Sequence, residues 1–589
     1  MSEALNTVRS RAELDEEMEN AFRMGDIGAT ALLAWEVLAR FPDDNFAARL
    51  YVKKLLRDPK VASEDLDAFK RDAKLLREQG DSEELAKLSA LGLLRFPAQR
   101  YLSLNLVDAA EKLNRPEWIP HAIKPLGEPE EDDIVLLNAV ASLAQTEGDY
   151  ERANELFGKL LKKEPDNETL AKNYSASLVG IGAFEQATQL LETKLAITDS
   201  PRDYLFRLAP LYHRAGLSVS GKLEELDAQF FASCQNANKA RTHADVRLFL
   251  QDFDGVYDGL TKLLSFSPEP EIAFELAELE LASNRMEAGL LRYKTRFEAY
   301  PVLRWFEQDI PTYEGQVLEN GERVFVWAEQ GIGDEVMFSL FLEELDRRVQ
   351  NVTLATDPRL IHVLSQRYPH WQFLNRHEFP EEPMQADFAC PMGDLMILLL
   401  RDLMDSAQPI RRPAFDPDPD RLSKIRALLK DKTRPRIAIS WRGGKGVNGR
   451  IRSMPLSQLM SPLADSAEVD IISLQYGQDH EQEVREHADR RVALSGLDNL
   501  GDLEGVFSLL RCCDAVITVD NSVAHFAAVM GIPTAVLVPA GQIQFRWKND
   551  AMRRLLFPST ELFVQKTPGD WSEPLESAWA RVLDIINVR

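Results

Sequence analysis

Three short segments in the C-terminal half carry residue types suited to chemistry on a phosphorylated substrate. In AEQGIGDEVMF, residues 328–338, Gly331 and Gly333 flank Ile332 after an apolar run, and Asp334 follows where a helix begins. Glycine there admits a ligand close to the backbone. A carboxylate at that position either accepts a proton from an attacking hydroxyl or caps the helix. In VITVDNSVAH, residues 516–525, a buried-strand run ends in Asp520, Asn521 and Ser522 and passes into Val523 and Ala524, with His525 one turn inside. Such a turn offers backbone N–H groups and the positive end of a helix to a phosphate, or else is a capping sequence with an interior histidine. The segment WRGGKGVNGRIRSMP, residues 441–455, sets Arg442, Lys445, Arg450 and Arg452 among glycines. In a chain of net charge −25 such a cationic loop reads as an anion site.

The elements around these segments follow α/β grammar. RVFVWAEQGIGDEVMF (323–338), NVTLATDPRLIHVLSQRY (351–368) and ADFACPMGDLMILL (386–399) each place a short apolar run before a turn or helix. A second block runs through RPRIAISWRGG (434–444), VDIISLQYG (469–477), DAVITVDNSVAHFAAVMG (514–531) and PTAVLVPA (533–540). Between the blocks, FDPDPD at 415–420 has no apolar run and reads as a solvated linker rather than an Asp-x-Asp metal site. Two open α/β halves imply a cleft at the carboxyl ends of their strands, with the site inside it.

The first half has a different period. Gly148, Tyr150 and Ala153 are followed by Gly182, Phe184 and Ala187, each 34 residues later, the period of tetratricopeptide repeats. The 17-residue interval from Gly148 to Pro165 recurs from Gly25 to Pro42 and from Gly80 to Pro97, and with a polar residue for glycine from Gln251 to Pro268 and from Asn284 to Pro301. Glycine serves the turn between paired helices and proline ends the second. Residues 100–130 and 215–245 match poorly, so the predicted solenoid is irregular. Its concave surface is expected to hold polypeptide. The predicted organisation is a helical repeat region over 1–305, a linker over 306–320, one α/β half over 321–414, a linker over 415–433 and a second half over 434–589.

Composition limits the alternatives. With 589 residues, 45% hydrophobic and 28% charged, the chain is a multidomain globular protein, and its net acidity disfavours nucleic acid as a partner. Four cysteines, two of them adjacent at Cys512 and Cys513, supply neither a disulfide framework nor CxxC metal pairs. No signal-peptide core and no apolar run of membrane-span length occurs, so a cytoplasmic location is expected.

Residues 321–571 resemble the glycosyltransferase family 9, or heptosyltransferase-like, GT-B enzymes. The segments carrying the resemblance are AEQGIGDEVMF, DFACPMGDL, AISWRGGKGVNGRIRSMPL, SLQYG, DAVITVDNSVAHFAAVMGIP and PGDW at 568–571. The whole arrangement resembles bacterial flagellin glycosyltransferases and, more distantly, O-linked N-acetylglucosaminyltransferases. The resemblance implies an α-helical solenoid followed by two Rossmann-like halves, with Asp334 as catalytic base. It implies donor binding by Gly331, Gly333, Lys445, Arg450, Arg452, Gln475, Asp520, Asn521, Ser522, Val523, Ala524 and His525. It also implies a metal-independent, inverting transfer that needs no cofactor beyond the nucleotide-sugar co-substrate. Asn521 and the Gln542-Ile543-Gln544-Phe545-Arg546-Trp547 stretch depart from the pattern where the donor sugar or base is expected. The expected activity is sugar transfer to hydroxyls of a protein acceptor, flagellin being the acceptor the resemblance suggests. A glycolipid acceptor and a non-catalytic adaptor are the competing readings.

Overall fold

The computed structural model describes residues 10–587 apart from 42–44, 64, 114, 131, 320, 379–383, 406–414, 416, 430–433, 445–448, 450, 464–467, 478, 487–491 and 544. The chain forms two compact units, Met1–Lys194 and Leu195–Arg589.

The first unit is built from helical hairpins. Arg11–Arg23 pairs with Ile27–Arg40, Leu66–Gln79 with Ser82–Arg95, Ile134–Thr146 with Tyr150–Lys163, and Glu168–Gly180 with Phe184–Leu195. Each turn uses one device. Gly25, Gly80, Gly148 and Gly182 take left-handed φ angles of 75° to 81°, where a side chain is strained. The aspartates after three of them cap the second helix, Asp26 accepting from Ala29 N at 2.8 Å, Asp81 from Glu84 N and Asp149 from Arg152 N at 3.1 Å each.

The second unit begins with the same grammar. Helix Ala237–Phe249 pairs with Phe253–Phe266, and Gln251 between them adopts φ 59°, so a polar residue holds the left-handed turn position that glycine holds elsewhere. Helix Pro270–Ala282 pairs with Met286–Arg292. The sheets follow. β1 (Arg323–Trp327), β2 (Asn351–Thr356), β3 (Gln372–Asn375) and β4 (Phe388–Pro391) form a parallel sheet in the order β3-β2-β1-β4. β5 (Arg436–Ser440), β6 (Asp470–Ser473), β7 (Val492–Leu494), β8 (Ala515–Val519), β9 (Thr534–Val538) and β10 (Thr560–Val564) form a parallel sheet in the order β10-β9-β8-β5-β6-β7. Both orders reverse beside their first strand, between β1 and β4 and between β5 and β8. In open parallel sheets that switch point opens a crevice for ligands.

β1 shows why its sequence lacks polar positions. Val324 and Val326 enter the main core with Val336 and Leu354, while Phe325 and Trp327 pack on the opposite face against Phe297, Trp305 and Phe306. Residues 306–320 are therefore more than a tether. Tyr313 N donates to Ala389 O at 2.9 Å and Ala389 N to Pro311 O at 2.8 Å, extending the edge of β4. In the other expected linker, Asp418 caps helix Pro419–Leu428 by accepting from Asp420 N at 2.8 Å and Arg421 N at 3.0 Å.

Within the second unit, helices and sheets share one core. Leu281, Leu290 and Tyr293 belong to the same buried cluster as Val324 and Phe545. Asn549 Nδ2 donates to Leu281 O at 2.9 Å and Ser283 O at 3.1 Å, and Trp305 Nε1 donates to Ala328 O at 2.7 Å. Arg296, fully buried, donates to Glu329 Oε1 at 3.1 and 3.2 Å and to Asp394 Oδ1 at 2.6 Å. Removing one member of such a buried group leaves uncompensated charge, at about 3–5 kcal/mol. Arg296→Ala is thus expected to destabilise the chain by about that amount in urea unfolding, and a change below about 1 kcal/mol would show that the triad is not load-sharing. A fragment beginning at Leu195 is expected to stay soluble and unfold cooperatively. One beginning at Asn320 strips Leu281, Leu290 and Tyr293 from the core and is expected to aggregate, which size-exclusion chromatography of the two fragments checks.

Candidate functional site

A cleft of about 640 Å³ opens at the carboxyl ends of both sheets. Its walls include the start of helix Ile332–Phe338 after β1, the start of helix Ser522–Val529 after β8, and helix Pro270–Ala282.

At the first, Gly331 holds the N-cap position with no side-chain cap, and Asp334 stands in the first turn. Its Oδ1 accepts from Arg546 Nη2. The capping reading of Asp334 is therefore replaced by an ion pair, and although burial by itself lowers the Arg546 pKa, the Asp334 carboxylate and its acidic neighbours raise it above the ordinary value. The neighbouring Glu335 serves the scaffold. It accepts from Thr356 Oγ1 at 2.7 Å and Asp357 N at 2.9 Å, tying the helix to the end of β2, and burial lifts its pKa to about 7.

At the second, Asn521 is the cap. Its Oδ1 accepts from Val523 N at 3.0 Å, and its amide donates to Ser440 Oγ at 2.8 Å and Arg442 O at 3.1 Å, closing the crevice between β5 and β8. Ser522 lines the cleft and its hydroxyl has no partner among the described residues. Val523 and Ala524 point into the core, so only their backbone belongs to the turn. Asp520 accepts from Trp547 Nε1 at 2.8 Å, and its carbonyl accepts from Arg452 Nη1 at 2.6 Å, which fixes that guanidinium beside the turn. A Cβ on Gly443 would fall 2.5 Å from Arg452 Nε, so glycine clears the arginine's path. A Cβ on Gly333 would lie 3.2 Å from His525 Cδ2 and 3.4 Å from Ser522 Cα, so glycine likewise lets the two helix starts approach.

His525 stacks on Trp547 with ring centroids 4.7 Å apart, and its buried Nδ1 has no partner. Burial, aided by Arg546, pushes its pKa down to about 4. The imidazole is thus neutral, and among the described residues the positive charge at the turn comes from Arg452, Arg546 and the helix end.

The sequence-derived residues Gly331, Gly333, Asp334, Arg452, Asp520, Asn521, Ser522 and His525 all line this cleft. Gln475 does not. It is buried beneath, its Oε1 accepting from Ser440 Oγ at 3.0 Å, Trp441 N at 2.9 Å and Arg442 N at 2.8 Å, and Tyr476 reaches the cleft instead. Gln475 shapes the loop after β5 rather than meeting a ligand. Lys445 and Arg450 lie outside the described residues. The helical wall was not foreseen: Arg202, Arg241, Glu271, Phe274, Glu275, Glu278 and Tyr300 all face the cleft. No motif marks them, because their spacing is that of an ordinary repeat helix.

A tetratricopeptide-repeat family model matches residues 144–204. The chain is 23% identical over 461 residues to Protein FlbA of Caulobacter vibrioides, covering 72% of this chain and 74% of that protein. Among solved structures it is similar to a glycosyl transferase family 9 protein from Veillonella parvula, with 12% identity, 42% of this chain and 86% of that chain covered, and a TM-score of 0.32. It is also similar to the ADP-heptose LPS heptosyltransferase II of E. coli, with 14% identity, coverage of 45% and 98%, and a TM-score of 0.33. The strand orders and the helical hairpins give the fold on their own terms: a tetratricopeptide-like helical region followed by two Rossmann-like parallel-sheet halves. No helix among the described residues is long and apolar enough to cross a membrane.

The buried histidine sets a pH dependence. Its folded pKa of about 4 lies below its ordinary 6.5, so the unfolded chain binds the proton first and stability present above pH 6.5 is lost as pH falls towards 4. At one pKa unit per 1.36 kcal/mol the loss totals about 3 kcal/mol. His525→Phe, which keeps a ring on Trp547, is expected to flatten that part of the stability profile in urea titrations at pH 7, 6, 5 and 4.

Proposed function

We propose that this protein is an inverting glycosyltransferase that moves a sugar from a nucleotide donor to a hydroxyl of a protein acceptor held by the repeat region. The observation that supports it most is the convergence, at the switch points of two parallel sheets, of a phosphate-suited helix start and a carboxylate in one cleft. The donor's phosphates sit at the Ser522 turn, where backbone N–H groups, the Ser522 hydroxyl and Arg452 supply donors and positive charge. Such groups take the place of a metal on the leaving phosphate, so activity is expected to survive EDTA.

In the reaction the acceptor oxygen bonds to the anomeric carbon while the bond from that carbon to the phosphate oxygen breaks, its electron pair leaving on the phosphate. The acceptor's proton passes to Asp334. In the structure Asp334 is engaged by Arg546. A diphosphate entering beside Arg546 competes for that guanidinium, which frees the carboxylate as a base when the donor is in place. This ordering protects the donor, because the base is masked until the phosphates arrive.

The acceptor is read as protein because residues 144–204 match a tetratricopeptide repeat, and such arrays commonly bind polypeptide. Flagellin is the acceptor suggested by the sequence resemblance. Asp334→Asn is expected to retain donor affinity while lowering transfer roughly 10²-fold or more, the usual scale of a lost general base. Intact-protein mass spectrometry of acceptors incubated with each form reads the result. Transfer at the wild-type rate would defeat the assignment of Asp334.

A further inference from the structure

Helix Pro270–Ala282 turns Glu271, Phe274, Glu275 and Glu278 onto the cleft, at the i, i+3, i+4, i+7 spacing that forms one helical face. Two of the three carboxylates differ sharply in their partners. Glu275 is held by Arg202 and by Arg241, the latter at 2.6 Å, and Arg202 is fixed in turn by Asp245 at 2.7 Å. Glu278, one turn along, has no hydrogen-bond or ion-pair partner among the described residues. Beside this row, Phe274 meets Tyr300 edge to face, with ring centroids 5.7 Å apart, and Tyr300 is about half exposed to the cleft. The surface joins a fixed polar pair, an apolar shelf and one unsatisfied carboxyl.

Charge decides what this wall receives. Glu271, Glu275 and Glu278 outnumber Arg202 and Arg241 on this wall, and both arginines are already bonded to Glu275, so the wall suits phosphate less than the opposite lip, where Arg452 and the Ser522 turn lie. A neutral or cationic group that presents an O–H or N–H suits it. We infer that the face of helix Pro270–Ala282 is the acceptor subsite, in which Glu278 accepts a hydrogen bond from an O–H or N–H of the acceptor segment and Phe274 and Tyr300 pack against its apolar atoms. Glu278 is on this account a positioning residue, and the helical region completes the cleft instead of serving only as a distant dock. The inference rests on the glycosyl-transfer reading above. The groups facing Glu278 are Arg546, Glu275, Asp334 and Arg202, and its own burial, the largest influence, lifts its pKa to about 7. The subsite should therefore strengthen as pH rises through 7 and the carboxyl ionises.

The test uses the full chain, desalted protein extract from a strain lacking it as acceptor, and the low-molecular-mass fraction of wild-type cells as donor. Sugar mass gain on protein is followed while each is varied separately. Glu278→Gln is expected to raise the half-saturating acceptor concentration about 10-fold, the scale of one hydrogen bond to a charged group, without moving that of the donor fraction. It should also remove the tightening of acceptor saturation between pH 6 and 8, with Glu278→Asp recovering part of it. A rise in donor half-saturation instead would place the donor sugar on this wall and overturn the inference. So would unchanged saturation and pH profile in Glu278→Gln. Absence of any transfer by folded wild-type protein would defeat the glycosyl-transfer reading, and the inference with it, whereas transfer insensitive to Glu278 defeats the inference alone.

Discussion

The buried triad of Arg296, Glu329 and Asp394 is the interaction on which the geometry of the cleft depends. Glu329 stands two residues before Gly331 and Asp394 directly follows Gly393, so the two loops that leave β1 and β4 are tied to one guanidinium supplied by the last helical turns. Burial, with the neighbouring Asp394 charge, raises the pKa of Glu329, and Arg296 and the Gly393 amide act against that. The charge is thus stable only while the helices stay docked on the sheet. A loop with three such anchors cannot drift, and Gly331, Ile332, Gly333 and Asp334 begin their helix from a fixed point.

That constraint explains why the cleft has an electrostatic direction. One lip carries the Ser522 turn, Arg452 and the Asp334–Arg546 pair, and the other carries the acid-rich face of helix Pro270–Ala282. Arg546 lies in the field of both, with Asp334 and Glu278 each favouring its charged form. Neutral His525 beneath, stacked on Trp547, supports the lip without adding charge. Two substrates of unlike charge are sorted by such a cleft before any specific hydrogen bond is made.

The sequence disclosed those parts of the site that chain-local motifs build. The Gly331-to-Asp334 and Asp520-to-His525 turns were legible because a strand, a turn and a helix start lie together in sequence. The role of each side chain was less legible. Asp334 as cap and Asp334 as cleft carboxylate look alike until Arg546, more than 200 residues away, is seen to hold it. The resemblance implies a donor-binding place for Gln475, just after β6, and in the structure its Oε1 is occupied by three donors from the end of β5 and the residues that follow it. The helical wall left no trace, since an acidic row on a repeat helix is what a solvated face also looks like. The 17-residue interval that ends in proline likewise recurs past Lys194, at Gln251 to Pro268 and Asn284 to Pro301, so periodicity did not mark where the second compact unit begins.

The central claim is that repeat-like helices and both α/β halves form one site. Hydrogen–deuterium exchange of the full chain, with and without whichever of UDP, GDP, ADP and CMP binds most tightly, and then with acceptor extract added, tests it most directly. The account predicts that the nucleotide protects peptides around Gly331–Asp334 and Asn521–Val523, and that acceptor extract adds protection over Pro270–Ala282. Protection confined to the two α/β halves under both conditions would contradict it.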